Sequence, residues 1–178
     1  MNLKILFLVL SCWLDLVYNY LIMFEPAVRQ SMWYSKKECG VPANYNHRWL
    51  WCGGKAKMFN DINKGRCGIC GDEFSAAVKD HQAGGKFATG IIAASYQSGQ
   101  LIDVKIKLTS NSKGFITFAL CAHNNPNTSP DRECFLNNQL MVNSGERYDV
   151  GEGTGLKQMK VQLPDGVTCK QCILQVHR

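Results

Sequence analysis

Cysteine is the residue type with the most chemistry to offer in this chain, and its spacing admits two uses. The pairs CGIC at 67–70 and CKQC at 169–172 could supply four thiolates to a tetrahedral zinc ion. Zinc pairs of that kind stand about 15–20 residues apart, whereas about a hundred residues separate these two. The other use is oxidative. Leaving Cys12 aside, Cys39, Cys52, Cys67, Cys70, Cys121, Cys134, Cys169 and Cys172 remain. Their even number reads as up to four disulfides in an oxidising compartment, with the connectivity open. Disulfides are the favoured reading.

Other reactive groups give weaker signals. His47, His81, His123 and His177 form no H-x-H and no i, i+4 pair, so solvent-facing or hydrogen-bonded roles are expected of them. No G-x-S-x-G occurs, and GEGTG at 151–155 is not followed by the strand-to-helix unit of a phosphate cradle. Aromatic rings are better placed for binding, because an exposed ring offers a flat apolar face. Trp33, Tyr34, Tyr45 and Trp49 are the candidates, with Trp51 nearby. At least half of these rings are expected to be buried, and the alternation of Trp49 and Trp51 points to one of the two packing in the core. Asn127-Thr128-Ser129 is an N-glycosylation acceptor, weakened by Pro130.

The elements that must position these groups are strands. LIDVKIKLT (101–109) alternates, with Ile102, Val104, Ile106 and Leu108 on one face, and FITFALC (115–121) follows after SNSKG. The pattern predicts a β-hairpin over 101–121. Further strands are expected at 86–96, 156–163 and 172–176, and NNPNTSPDREC reads as loop. Residues 25–85 are dense in turn signals and can be held only by cysteines and tertiary packing, with a helix expected around 73–80. The fold class expected is all-β: an immunoglobulin/fibronectin-III-like sandwich with a long, disulfide-pinned irregular N-terminal half.

The bulk numbers agree with a single domain of 178 residues, 46% apolar and 19% charged. Its net charge of +6 is spread along the chain rather than gathered into a stripe. Nucleic acid is therefore not an expected partner, while an anionic matrix or cell wall is compatible. The start, MNLK followed by the apolar run ILFLVLSCWL, reads as a signal peptide over 1–19. The mature domain would span 20–178, secreted and free of the membrane once the leader is removed.

Seven blocks then stand in a specific order: EPAVRQSMW (25–33), PANYN (42–46), CGG (52–54), GRCGICGD (65–72), HQAGGKFATGII (81–92), YQSGQLIDVKIKLTSNSKGFITFALC (96–121) and LPDGVTCKQCILQ (163–175). Together they resemble the invertebrate type of lytic polysaccharide monooxygenase, the type-4 chitin-binding domain family. The likeness covers about residues 25–176. It implies a copper ion held by a histidine brace: the amine and ring of an N-terminal histidine, and a second imidazole. Nitrogen donors of that kind suit copper.

Carried over residue by residue, the resemblance puts the N-terminal histidine at Tyr20 and the second histidine at Ser112. His81, in the HQAGG block, is expected to order its loop. The axial aromatic of the family belongs to a segment beyond CILQ that this sequence does not reach, together with further cysteines, so a C-terminally shortened domain and a free thiol are expected. With tyrosine and serine at the brace positions, no catalytic residue and no cofactor is expected, copper returning only if the family activity is kept. The resulting expectation is a monomeric, secreted protein that binds chitin, cellulose or another insoluble polysaccharide. The alternative is a copper-dependent monooxygenase acting on chitin or cellulose.

Overall fold

A computed structural model describes residues 21–47, 50–109 and 113–178. Seven strands occur among them: β1 (Leu21–Glu25), β2 (Leu101–Leu108), β3 (Phe115–Cys121), β4 (Gln139–Leu140), β5 (Tyr148–Asp149), β6 (Gly155–Gln162) and β7 (Ile173–His177). Three short α-helices accompany them, α1 (Met32–Ser35), α2 (Lys55–Met58) and α3 (Arg132–Leu136), with a 3-10 turn at Lys37–Cys39. One antiparallel sheet has the order β1-β2-β6, and β3 is paired with β4, β5 and β7 in the other. The two form a β-sandwich, the fold class expected.

The sandwich follows from alternation. Ile102, Val104, Ile106 and Leu108 of β2 are buried, as are Met159 and Val161 of β6, and Ile116 and Phe118 of β3 meet them in one apolar cluster. Two apolar faces of this size are removed from water only by stacking against each other. That corrects the hairpin expected over 101–121. The two strands do not pair; β2 bonds to β1 and β6, and β3 belongs to the opposite sheet. Alternation specifies which face of a strand is wet and says nothing about its edge partner. A second transfer between sheets occurs at 139–143, where β4 pairs with β3 but Gln162 N–H already donates to the Met141 carbonyl (2.9 Å) and Asn143 N–H to that of Lys160 (2.8 Å).

Other expectations are corrected too. Residues 86–96 belong to no strand, and 73–80 forms turns rather than a helix. Helix α3 lies inside the stretch read as loop; the Asp131 side chain caps it by accepting from Cys134 N–H at 2.9 Å. Disulfides join Cys52 to Cys67, Cys121 to Cys134 and Cys169 to Cys172. Cys39 and Cys70, counted among the disulfide candidates, are free thiols. Cys70 faces Arg29 instead, whose Nη1 lies 3.5 Å from its Sγ. Burial holds that thiol above its ordinary pKa, and the Arg29 charge only partly offsets this.

On the outer face of the first sheet, charges pair across the strands: Lys160 with Asp103 at 2.9 Å and Lys105 with Glu25 at 2.6 Å. The hydrogen bond from Lys160 holds the Asp103 carboxyl below its ordinary pKa. A carboxyl lowered on folding contributes stability above the ordinary carboxylate range and loses it as pH falls through its folded value. Asp103→Asn is therefore expected to lower the melting temperature at pH 7 and to match the unsubstituted protein near pH 2, which melting curves across that range would check.

Candidate functional site

The aromatic candidates converge. Ser31 is fully buried, its hydroxyl donating to the carbonyls of Met23 (3.2 Å) and Val28 (3.3 Å), and Met32 beside it is buried as well. That anchors the first turn of α1 inward and leaves Trp33 and Tyr34 half-buried at the surface. Their ring centroids lie 5.2 Å apart, edge to face. Tyr45 approaches Trp33 at 5.4 Å and is 80% exposed. His47 closes the cluster, 5.8 Å from Trp33 and 5.2 Å from Tyr34, while Phe24 of β1 supports Tyr34 from 5.9 Å. Edge-to-face contacts of this kind fix ring orientation.

Three of the four glycan-binding candidates, Trp33, Tyr34 and Tyr45, thus form one platform; Trp49 lies outside the described residues. The expectation that half of the rings are buried is corrected: Trp33 and Tyr34 are half-buried, and Tyr45 and Trp51 are exposed. Phe24 was not singled out from sequence, and His47 was named only for a solvent-facing or hydrogen-bonded role, not as a neighbour of these rings. The PANYNH spacing, which brings His47 two residues after Tyr45, was the signal available for His47.

A buried polar network holds the platform segment. Asn44, immediately before Tyr45, is 2% exposed, and its Nδ2 donates to His81 Nε2 at 2.8 Å. His81 Nδ1–H donates to Asp72 Oδ1 at 2.9 Å, the tautomer that an acceptor-only carboxylate requires. Arg29 donates to the His81 carbonyl at 2.6 Å. The Asn44 carbonyl in turn accepts from both the backbone N–H (3.3 Å) and the ring Nδ1–H (2.9 Å) of His47. His81 does order its loop, and it also carries the Tyr45 segment.

The copper brace implied by the resemblance calls for three nitrogens at one point. Leu21 pairs with Leu108, so β1 begins at the sheet end where β2 finishes. Tyr20 and Ser112, assigned to the brace positions, lie outside the described residues. The four histidines serve elsewhere: His81 is bonded at both ring nitrogens, His47 at Nδ1, His123 through Nε2 to Thr128 at 2.9 Å, and His177 sits on β7 opposite Thr117. Among the described residues, no three His, Cys, Asp or Glu side chains gather where they could hold a metal ion. The described donors therefore do not fit a copper brace. Asn127, the glycosylation candidate, is exposed in the loop after β3, and Ser129 of its acceptor triplet accepts from Ala83 N–H at 3.0 Å.

The family model described as lytic polysaccharide mono-oxygenase, cellulose-degrading, matches residues 22–178. Among solved structures, a lytic polysaccharide monooxygenase from Thermobia domestica in the Cu(I) state is 35% identical, with a TM-score of 0.81. The match covers 88% of this chain and 81% of that one. No curated protein matches the chain. A family match over residues 22–178 and 35% identity to a solved member across 88% of this chain show that the chain belongs to the lytic polysaccharide monooxygenase family.

Proposed function

We propose that this chain is a secreted protein that binds chitin or another insoluble polysaccharide on a monooxygenase scaffold, and that it works without copper-dependent catalysis. The observation that carries the reading is the surface cluster of half-buried Trp33 and Tyr34 with exposed Tyr45, kept while His47, His81 and His123 are hydrogen-bonded to other partners. Sugar rings stack on such faces through their C–H groups. A serine hydroxyl at position 112 is a poor neutral ligand and does not replace an imidazole. Signal cleavage near residue 19, glycosylation at Asn127 and a monomeric state belong to the same reading.

The test is retention on insoluble chitin and cellulose after a salt wash. Trp33→Ala combined with Tyr45→Ala is expected to lower the bound fraction at least about tenfold, the loss of about 1.4 kcal/mol. Unchanged retention in the double variant would remove the platform from the function, and no retention of the unsubstituted protein would remove insoluble chitin and cellulose as its ligands.

A second reading, a copper-dependent monooxygenase acting on chitin or cellulose, is favoured by the family match over 22–178. Copper calorimetry on protein with a verified N-terminus separates the two. Weak or absent binding is expected; tight one-to-one binding would overturn the non-catalytic reading.

A further inference from the structure

The loop from Trp51 to Cys67 is rigid, yet it turns rings and cations outward. Cys52–Cys67 closes it, and Cys52 N–H donates to the Gly71 carbonyl at 2.8 Å. Inside, Asn60 Oδ1 accepts from the backbone N–H groups of Ile62 (3.1 Å) and Asn63 (2.7 Å). The fully buried Asn63 donates through Nδ2 to the Lys57 carbonyl at 2.9 Å. Arg66 ties the returning limb to the carbonyls of Asn63 (3.1 Å) and Ile62 (2.8 Å). A loop bonded this thoroughly loses little further freedom when it docks.

Its surface is amphipathic. Phe59 is 64% exposed, Ile62 66% and Trp51 45%. Around them stand Lys55, Lys57, Lys64 and Arg66, all exposed, and Asp61 is the only acid between Cys52 and Cys67. Four cations less one carboxylate leave +3 within this loop, half of the chain's +6. Lys57 is engaged by Glu73 at 2.7 Å, and Arg66 lies over the Phe74 ring at 4.1 Å. Lys55 and Lys64 have no carboxylate within ion-pair distance among the described residues. Cations and exposed rings carried on one loop match a polymer that offers anionic groups and sugar faces together.

We propose that this loop is a second contact face whose ligand is an acidic polysaccharide, one carrying carboxylate or sulfate groups along its sugar chain. The proposal rests on the reading of the chain as a polysaccharide binder and names another class of polymer for it. A lipid surface fits less well, because Asn60 and Asp61 stand between Phe59 and Ile62 and would have to leave water with them.

The test measures binding of the full chain to polygalacturonate, to dextran sulfate and, as the neutral control, to hydroxyethyl cellulose. Affinity for one or both polyanions is expected to fall at least about tenfold between 0.05 and 0.5 M NaCl, as screening predicts. Which polyanion binds decides between carboxylate and sulfate. Lys55→Glu with Lys64→Glu is expected to cost at least about tenfold and Phe59→Ala about threefold to tenfold, with melting unchanged, whereas Tyr45→Ala leaves polyanion binding intact. Equal affinity for the neutral polymer, indifference to the Lys55 and Lys64 substitutions, or binding to anionic vesicles but to neither polyanion would each overturn the proposal. Polyanion binding through Lys55 and Lys64, with no retention on insoluble chitin or cellulose, would support this face and sink the platform reading alone.

Discussion

His81→Ala is expected to destabilise the protein by about 2–6 kcal/mol in equilibrium urea unfolding, because it leaves two buried hydrogen-bonding groups unmet at about 1–3 kcal/mol each. The ring is 5% exposed and uses both nitrogens, one toward Asp72 and one toward Asn44. Asp72 Oδ2 is already buried without a hydrogen-bond partner. Losing the imidazole would leave the whole carboxylate unpaired and the Asn44 amide with an unmet donor, and the ring's stacking on Phe87 at 4.9 Å would go as well. Asp72→Asn on the His81→Ala background should recover part of the loss, because it removes the stranded charge. Additive losses in the double variant would show that the two side chains are not coupled. Binding to insoluble polysaccharide should weaken too, since Asn44 holds His47 and directly precedes Tyr45.

The same residue shows where sequence reasoning reaches its limit. His81 contacts Asp72 nine positions away and Asn44 thirty-seven positions away, and in a stretch without periodicity nothing local announces such a meeting. The long strands were legible from their alternation: β2 and β6 match it within a residue or two, whereas β4 was not expected. Their partners were not, because a pattern of period two leaves the choice of edge to tertiary packing. Strand β1 was hidden by its own apolarity, LIMFE following directly on an apolar leader. Residues 86–96 carry strand-forming side chains but no strand pairs with them among the described residues. Helix α3 had a readable signal in Asp131, three residues before the amide it caps. The platform was legible as a list of rings; that they meet around His47 required the fold.

Phe118→Ala is expected to cost about 4 kcal/mol, within the range for emptying a buried phenylalanine site. Phe118 is 1% exposed on β3, with Leu140 and Val176 as its cross-strand partners. It shares one cluster with Val104 and Ile106 of the facing sheet. The other side of β3 is closed as well, since Ala119 and Cys121 pack with Phe135 of α3 and Cys121 is bonded to Cys134. With both faces covered, the strand cannot shift to fill the cavity, and the penalty should stay above the lower end of the range. Phe115, on the same strand, is the internal control: it is 44% exposed and stacks under Arg147 at 4.8 Å. Phe115→Ala should cost below about 1 kcal/mol, the usual size of an exposed cation–π contact. Comparable losses for the two substitutions in urea unfolding would contradict a Phe118 sealed between two sheets, and with it the crossing of the chain from one sheet to the other between β2 and β3.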